Sequence, residues 1–150
     1  MKKTAFITGG GGYIGTQTAI TLAKEGINIA VCDISEKSVK AAVDKVNVVG
    51  GNAKGYVSDV TNSKDIEAAI QKAAEDLGGL DILVHIAGGS YVPLVEQEES
   101  VIDKVLKVNL YGAFWASRAA ARIMIKQGTG GKIINFASAV GINGLANCCD

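Results

Sequence analysis

Ala5-Phe6-Ile7-Thr8-Gly9-Gly10-Gly11-Gly12-Tyr13-Ile14-Gly15 decides how the rest of this chain is read. Its apolar start reads as a short buried strand, and its glycines turn the backbone straight into a helix. Glycine has no side chain and tolerates positive φ, so such a loop lets the main chain press against a pyrophosphate. The N–H groups opening the next helix, near Ile14, carry about half a positive charge and face that anion. A glycine cluster by itself is a weak signal, because such clusters are more often ordinary turns. The second apolar run, Ile27 to Cys32, sets this one apart, because it ends in Asp33, eighteen residues after Gly15. An acid about twenty residues beyond the loop is placed to accept the adenosine ribose hydroxyls. Strand, loop, helix, strand and acid in that order predict a dinucleotide site.

Composition narrows the alternatives. The 150 residues suffice for one domain, and 48% hydrophobic with 20% charged residues marks a globular chain. Fifteen basic residues balance fifteen acidic ones, with no basic stripe interleaved with aromatics, which argues against a nucleic-acid partner. Met1-Lys2-Lys3 resembles the start of a signal peptide, but Thr8 and the glycines break the apolar run too soon. No stretch approaches eighteen apolar residues, so no membrane span is expected. Cys32, Cys148 and Cys149 are odd in number and lack metal-ligand spacing. They read as reduced thiols of a cytoplasmic protein without a metal site.

Further along, apolar residues recur at helical spacing in three segments. Ala19, Leu22 and Ala23 precede a stop at Gly26. Ser35 caps a helix with Val39, Ala42, Val43 and Val46 on one face. Asn62 or Ser63 caps another, with Ile66, Ala69, Ile70, Ala73 and Leu77, closed by Gly78-Gly79. Strands are expected at Ala53 to Ser58, Asp81 to Ile86 and Lys132 to Ser138. A long helix from Ser100 to Gln127, weakest at Gly112, lies between the last two. Strands alternating with helices predict an α/β fold, a doubly wound, Rossmann-like parallel sheet built of right-handed βαβ units and breaking off after the fifth strand.

With these elements in place, the chain resembles the short-chain dehydrogenase/reductase family over its whole length. The matching pieces are Thr8-Gly9 through Gly15, Asp33, Asp59-Val60, Ala87-Gly88, Asn109 within Val108-Asn109-Leu110-Tyr111-Gly112, and Ser138 after Gly-Lys-Ile-Ile-Asn. The resemblance implies a nicotinamide cofactor, NAD in preference to NADP, held by Gly9, Gly12, Tyr13, Ile14, Gly15, Asp33, Asp59, Val60, Ala87 and Gly88. It implies that Asn109 holds a water in a proton relay and that Ser138 hydrogen-bonds the reacting oxygen of a small alcohol or ketone. Asp59 and Ser138 also suit turn positions, and the lone His85 reads as a strand residue with a hydrogen-bonded ring. The glycine at 12 and Tyr13 look like the extended branch, which includes nucleotide-sugar epimerases. Val108 to Phe114 and the segment ending at Ser138 look like the compact branch.

The family's catalytic tyrosine lies thirteen residues after the serine, one position beyond Asp150, with a lysine four residues further on. Tyr91 and Tyr111 do not fit that spacing. The expectation is therefore the first three-fifths of an enzyme of about 250 residues that interconverts a secondary alcohol and a ketone by NAD-dependent hydride transfer. The alternatives are an extended-branch epimerase or dehydratase and a non-catalytic dinucleotide-binding protein. On Ser100–Gln127 apolar residues cover more than the roughly 100° stripe one sheet face needs. A second apolar face, centred on Val101, Val105 and Trp115, is expected to pair subunits as a homodimer or homotetramer.

Overall fold

A computed structural model describes residues 2–89 and 93–145; Tyr91, Cys148 and Cys149 lie outside them. The first half alternates as expected: β1 (Thr4–Thr8), α1 (Tyr13–Lys24), β2 (Asn28–Asp33), α2 (Glu36–Val48), β3 (Ala53–Val57), α3 (Ser63–Leu77) and β4 (Ile82–His85). A 3₁₀ turn at Leu94–Glu96 leads into α4 (Glu99–Val105), a π-helical segment at Leu106–Tyr111, α5 (Gly112–Gln127), β5 (Lys132–Asn135) and the short α6 (Val140–Asn143). All strand pairs are parallel, in the order β3-β2-β1-β4-β5.

The sheet is apolar on both faces because helices cover both. Phe6, Ala30, Leu83 and Tyr56 face α3 and α5 and pack with Ile66, Ile70, Ala116 and Ala120. Ala5, Ile7, Ile29 and Val31 face the other way, against Ala19, Ala42 and Val46 of α1 and α2. Every residue of β1 is buried, as befits the central strand. Local signals set the helix ends. The Ser35 side chain accepts the Ser38 N–H at 3.3 Å, and Asn62 Oδ1 accepts from Lys64 and Asp65 at 3.1 and 3.3 Å. Each such cap is worth about 1 kcal/mol. Gly78 ends α3 with φ +82°.

Two expectations on the long helix need correction. Its irregularity falls on Leu106–Tyr111 and not at Gly112, which is buried in an ordinary helical turn against Val60. The second apolar face is also rotated from its expected centre. Val105 is buried and Val101 and Trp115 are half-buried, whereas Ile102, Leu106, Leu110 and Phe114 stand out in solvent. The small side chains of Gly112, Ala116, Ala119 and Ala120 let α5 sit close to α3 and the sheet, and that approach decides which face turns inward. Trp115 then lies against the core, with the Arg118 guanidinium 4.6 Å over its ring. At the β5 edge all four strand residues are exposed, and Ile133, Ile134 and Phe136 face solvent. Among the described residues no helix is long and apolar enough to cross a membrane.

Candidate functional site

Connections leave β1 toward β2 on one side and arrive at β4 on the other, so a crevice opens at the carboxyl ends of these strands. A groove of about 210 Å³ occupies it, lined by Gly9, Asp33, Ile34, Ser58, Asp59, Val60, Ala87, Gly88 and Val108. Six of these were named from the sequence. Ile34, Ser58 and Val108 were not.

The glycine loop forms the floor. Gly9 has φ +62°, and a Cβ there would lie 2.8 Å from the Ala87 nitrogen, so the loop can rest on the β4 exit only as glycine. A Cβ on Gly15 would run into the Gly9 carbonyl and Gly10 Cα. Gly12 is different: its φ of −73° suits any residue, and a Cβ there would touch only the Gly9 carbonyl oxygen, at 3.3 Å. Helix α1 begins at Tyr13 with no side-chain cap and no acid in its first turn, whereas Ser35 and Asn62 cap α2 and α3. Its first-turn N–H groups are thus left for an anion. Tyr13 and Ile14, in that first turn, are 83% and 53% exposed.

Asp33, half-buried at the end of β2, is held by two amides. Gly11 N–H donates to Oδ2 and Ser35 N–H to Oδ1, each at 3.1 Å. Each oxygen keeps a second lone pair for a ribose hydroxyl. Asp59 serves its turn as well as the groove, since its Oδ1 accepts the Thr61 N–H at 2.9 Å. Ser58 is buried, and its Oγ has no hydrogen-bond partner although the residue lines the groove. An orphaned buried hydroxyl beside the groove is a polar group the described residues leave unsatisfied. Beside it, burial and the neighbouring Asp33 push the Cys32 thiol up to about 12, leaving it protonated and unreactive.

Asn109 sits in the π segment and accepts the Gly89 N–H at 3.1 Å, tying the helix to the turn after β4. Ser138 is exposed beyond β5, and its hydroxyl accepts the Val140 N–H at 3.2 Å. Neither residue lines the groove, which gathers six of the ten cofactor residues expected from the sequence and not Gly12, Tyr13, Ile14 or Gly15. His85 is only half as expected: Nδ1 contacts Thr8 Oγ1 at 2.9 Å, but the buried Nε2 has no partner. Burial holds its pKa below the ordinary histidine value. The described residues contain no cluster of His, Cys, Asp and Glu able to hold a metal ion. An uncapped helix start, a loop no Cβ could enter at Gly9 or Gly15, a pinned carboxylate and an orphaned hydroxyl together suit a dinucleotide.

A family model described as short chain dehydrogenase matches residues 3–149. The chain belongs to that family. An uncharacterized oxidoreductase of Thermotoga maritima is 39% identical over 148 residues, 98% of this chain and 58% of that protein. A diacetyl reductase [(S)-acetoin forming] of Staphylococcus epidermidis is 38% identical over 94% of this chain and 55% of its own length. Among solved short-chain dehydrogenase folds, an NAD+-bound xylitol dehydrogenase superposes with a TM-score of 0.91 at 35% identity, covering 97% of this chain and 56% of that one. An actinorhodin polyketide ketoreductase with NADPH gives 0.92 at 29% identity, covering 98% and 57%. The chain thus spans a little over half the length of the relatives it matches.

Proposed function

We propose that the chain is the cofactor-binding part of a longer NAD-dependent oxidoreductase that interconverts a secondary alcohol and a ketone. The observation that carries this reading is the Asp33 carboxylate, pinned by Gly11 and Ser35 at the mouth of the groove. Bound NAD would supply the hydride acceptor, and its reduced form the donor. The chain's own residues would grip and orient. Gly9 and Gly15 keep the loop low enough for the first-turn amides of α1 to reach the pyrophosphate. Asp33 takes the ribose hydroxyls and repels a 2′-phosphate; no Arg or Lys occurs among residues 8–17 or directly after it. Asp59 and Val60 wall the adenine end, while Ala87 and Gly88 flank the cofactor. Ser138 would direct its hydroxyl proton at the substrate oxygen, because its own oxygen already accepts from Val140. Asn109 would hold a water in the proton relay. The tyrosine and lysine of the family's proton-transfer set would then lie beyond these residues.

The family match favours this reading over the epimerase suggested by Gly12-Tyr13. The exposed apolar face on α4 and α5 would pair subunits, and the unreactive Cys32 thiol suits the cytoplasm. Calorimetric titration with NAD and NADP tests the cofactor assignment, and equal or tighter NADP binding overturns it. In the whole enzyme Ser138→Ala should lower turnover at least tenfold with little change in NAD affinity. Wild-type turnover by that variant would reduce Ser138 to a turn residue, and a whole protein that binds NAD without turning over any alcohol or ketone would be the non-catalytic binder.

A further inference from the structure

Thr8 ends β1 fully buried, immediately before the glycine loop. A threonine hydroxyl has one proton to give and two lone pairs to fill. Its Oγ1 accepts the Ile86 N–H at 3.2 Å and the Ala87 N–H at 3.3 Å, two amides of the segment that walls the groove. The Ile86 amide also reaches the Thr8 carbonyl, at 3.3 Å, so it is the Ala87 amide that relies on the hydroxyl. With both lone pairs engaged, the hydroxyl proton points to the remaining neighbour, His85 Nδ1, 2.9 Å away. In that arrangement Nδ1 accepts, and the ring proton sits on Nε2, which is buried and unpartnered.

We infer that His85 is a positioning residue for the dinucleotide groove: as the neutral Nε2–H tautomer it turns the Thr8 hydroxyl so that both lone pairs meet the Ile86 and Ala87 amides. The inference rests on the cofactor reading above. The consequence is mechanical, because Ala87 is the wall on which Gly9 rests. Protonating Nδ1 would place three donors around one oxygen with two lone pairs. The hydroxyl proton, losing its acceptor, would have to turn toward the two amides. The Ile86 amide can fall back on the Thr8 carbonyl, but the Ala87 amide has no second acceptor, so the Ala87 edge of the groove is the part that would loosen when the proton turns that way.

The surroundings leave that proton no compensation. The elements packed on β4 are β1, β5 and α5. β1 has no ionisable side chain, and on β5 only Lys132 titrates, in register with Ile82 at the far end of the pair. On α5, Arg118 and Arg122 turn to Glu67, and Lys126 lies in the last turn. None of the three elements contributes a carboxylate to offset an imidazolium, and burial lowers the ring's pKa further.

NAD titrations between pH 8 and pH 5, paired with ¹⁵N spectra of the imidazole, test the inference. The spectrum near neutrality should show the Nε2–H tautomer. Wild-type affinity should begin to fall toward the acid end, by up to about three- to tenfold once the ring is protonated, the value of one hydrogen bond. His85→Asn, whose amide oxygen can stand where Nδ1 stands, should rescue binding near neutrality and abolish the acid fall. His85→Leu should bind more weakly throughout, without pH dependence. An Nδ1–H tautomer, an acid fall that persists in His85→Asn, or wild-type binding by His85→Leu would each overturn the positioning role. A wild-type chain that binds no dinucleotide would instead refute the cofactor reading, which the ring spectrum does not depend on.

Discussion

Asp33→Asn is the substitution that most directly interrogates the groove. The carboxylate accepts two backbone N–H groups, each at 3.1 Å, and an amide of the same shape has only one oxygen. Whichever way the new side chain flips, its NH₂ confronts either the Gly11 or the Ser35 amide. Losing one charge-assisted bond costs about 1.5–3 kcal/mol when buried; half-burial and solvent screening reduce that to about 1–2 kcal/mol here. In a chain of this size that lowers Tm by about 2–8 °C. Two ribose hydrogen bonds to a charged acceptor also weaken, so NAD affinity should fall roughly 10- to 100-fold. A 2′-phosphate about 4 Å away feels about 4 kcal/mol per unit charge at an effective dielectric near 20. Solvent at the groove mouth and Lys37 nearby halve that to about 2 kcal/mol, so NADP should gain roughly 30-fold on charge removal. Calorimetric titration of both proteins with both nucleotides, beside thermal melts, gives every term. A NAD-to-NADP ratio that moves by less than about threefold would refute the ribose role of Asp33. An unchanged Tm would refute the two-amide clamp.

The glycines of the loop should separate into two kinds. Gly15→Ala drives a Cβ into the Gly9 carbonyl and should destabilise the fold by about 1–3 kcal/mol in denaturant titrations. Gly12→Ala should leave stability within about 0.5 kcal/mol yet weaken NAD at least tenfold if, as proposed, the pyrophosphate rests on this loop, because the added methyl would stand between them. Acid should also erode stability through His85. Its folded pKa lies below the unfolded value, so its neutral form stabilises the fold fully above about pH 6.5 and progressively less as pH falls through the lowered value. His85→Asn should flatten that limb of a pH-dependent melting curve. Phe114→Glu, on the exposed apolar face, should shift sedimentation toward the monomer at micromolar concentration, and an unchanged profile would remove that face from assembly.

The parts of this molecule legible in its sequence are those encoded by near neighbours. The caps at Ser35 and Asn62, the helical stripes of α2 and α3 and the ordering of strands follow from periods of 3.6 and 2 and from short polar side chains at fixed offsets. Gly9, Asp33 and Ala87-Gly88 were legible because a fixed topology carries them to the carboxyl ends of three neighbouring strands. Less legible were contacts made across the sheet. His85 meets Thr8 seventy-seven positions away, and no spacing rule reports which ring nitrogen is satisfied. Ser58 looked like an ordinary strand-end residue until its hydroxyl proved buried without a partner. The orientation of α5 was misjudged for a related reason. Apolar residues surround that helix, and the choice of inward face rests with small residues that a hydrophobicity count undervalues.

The π segment is in effect a surplus residue stored inside a helix. Regular α geometry turns about 100° per residue, so deleting one position from Leu106–Tyr111 could be absorbed as continuous α-helix. α4 would then swing by that angle relative to α5, carrying the Asn109 amide away from Gly89 and scattering the Ile102–Leu106–Leu110–Phe114 stripe. The extra residue thus sets the aim of one side chain and the continuity of one surface. A chain shortened there should melt higher and perform worse.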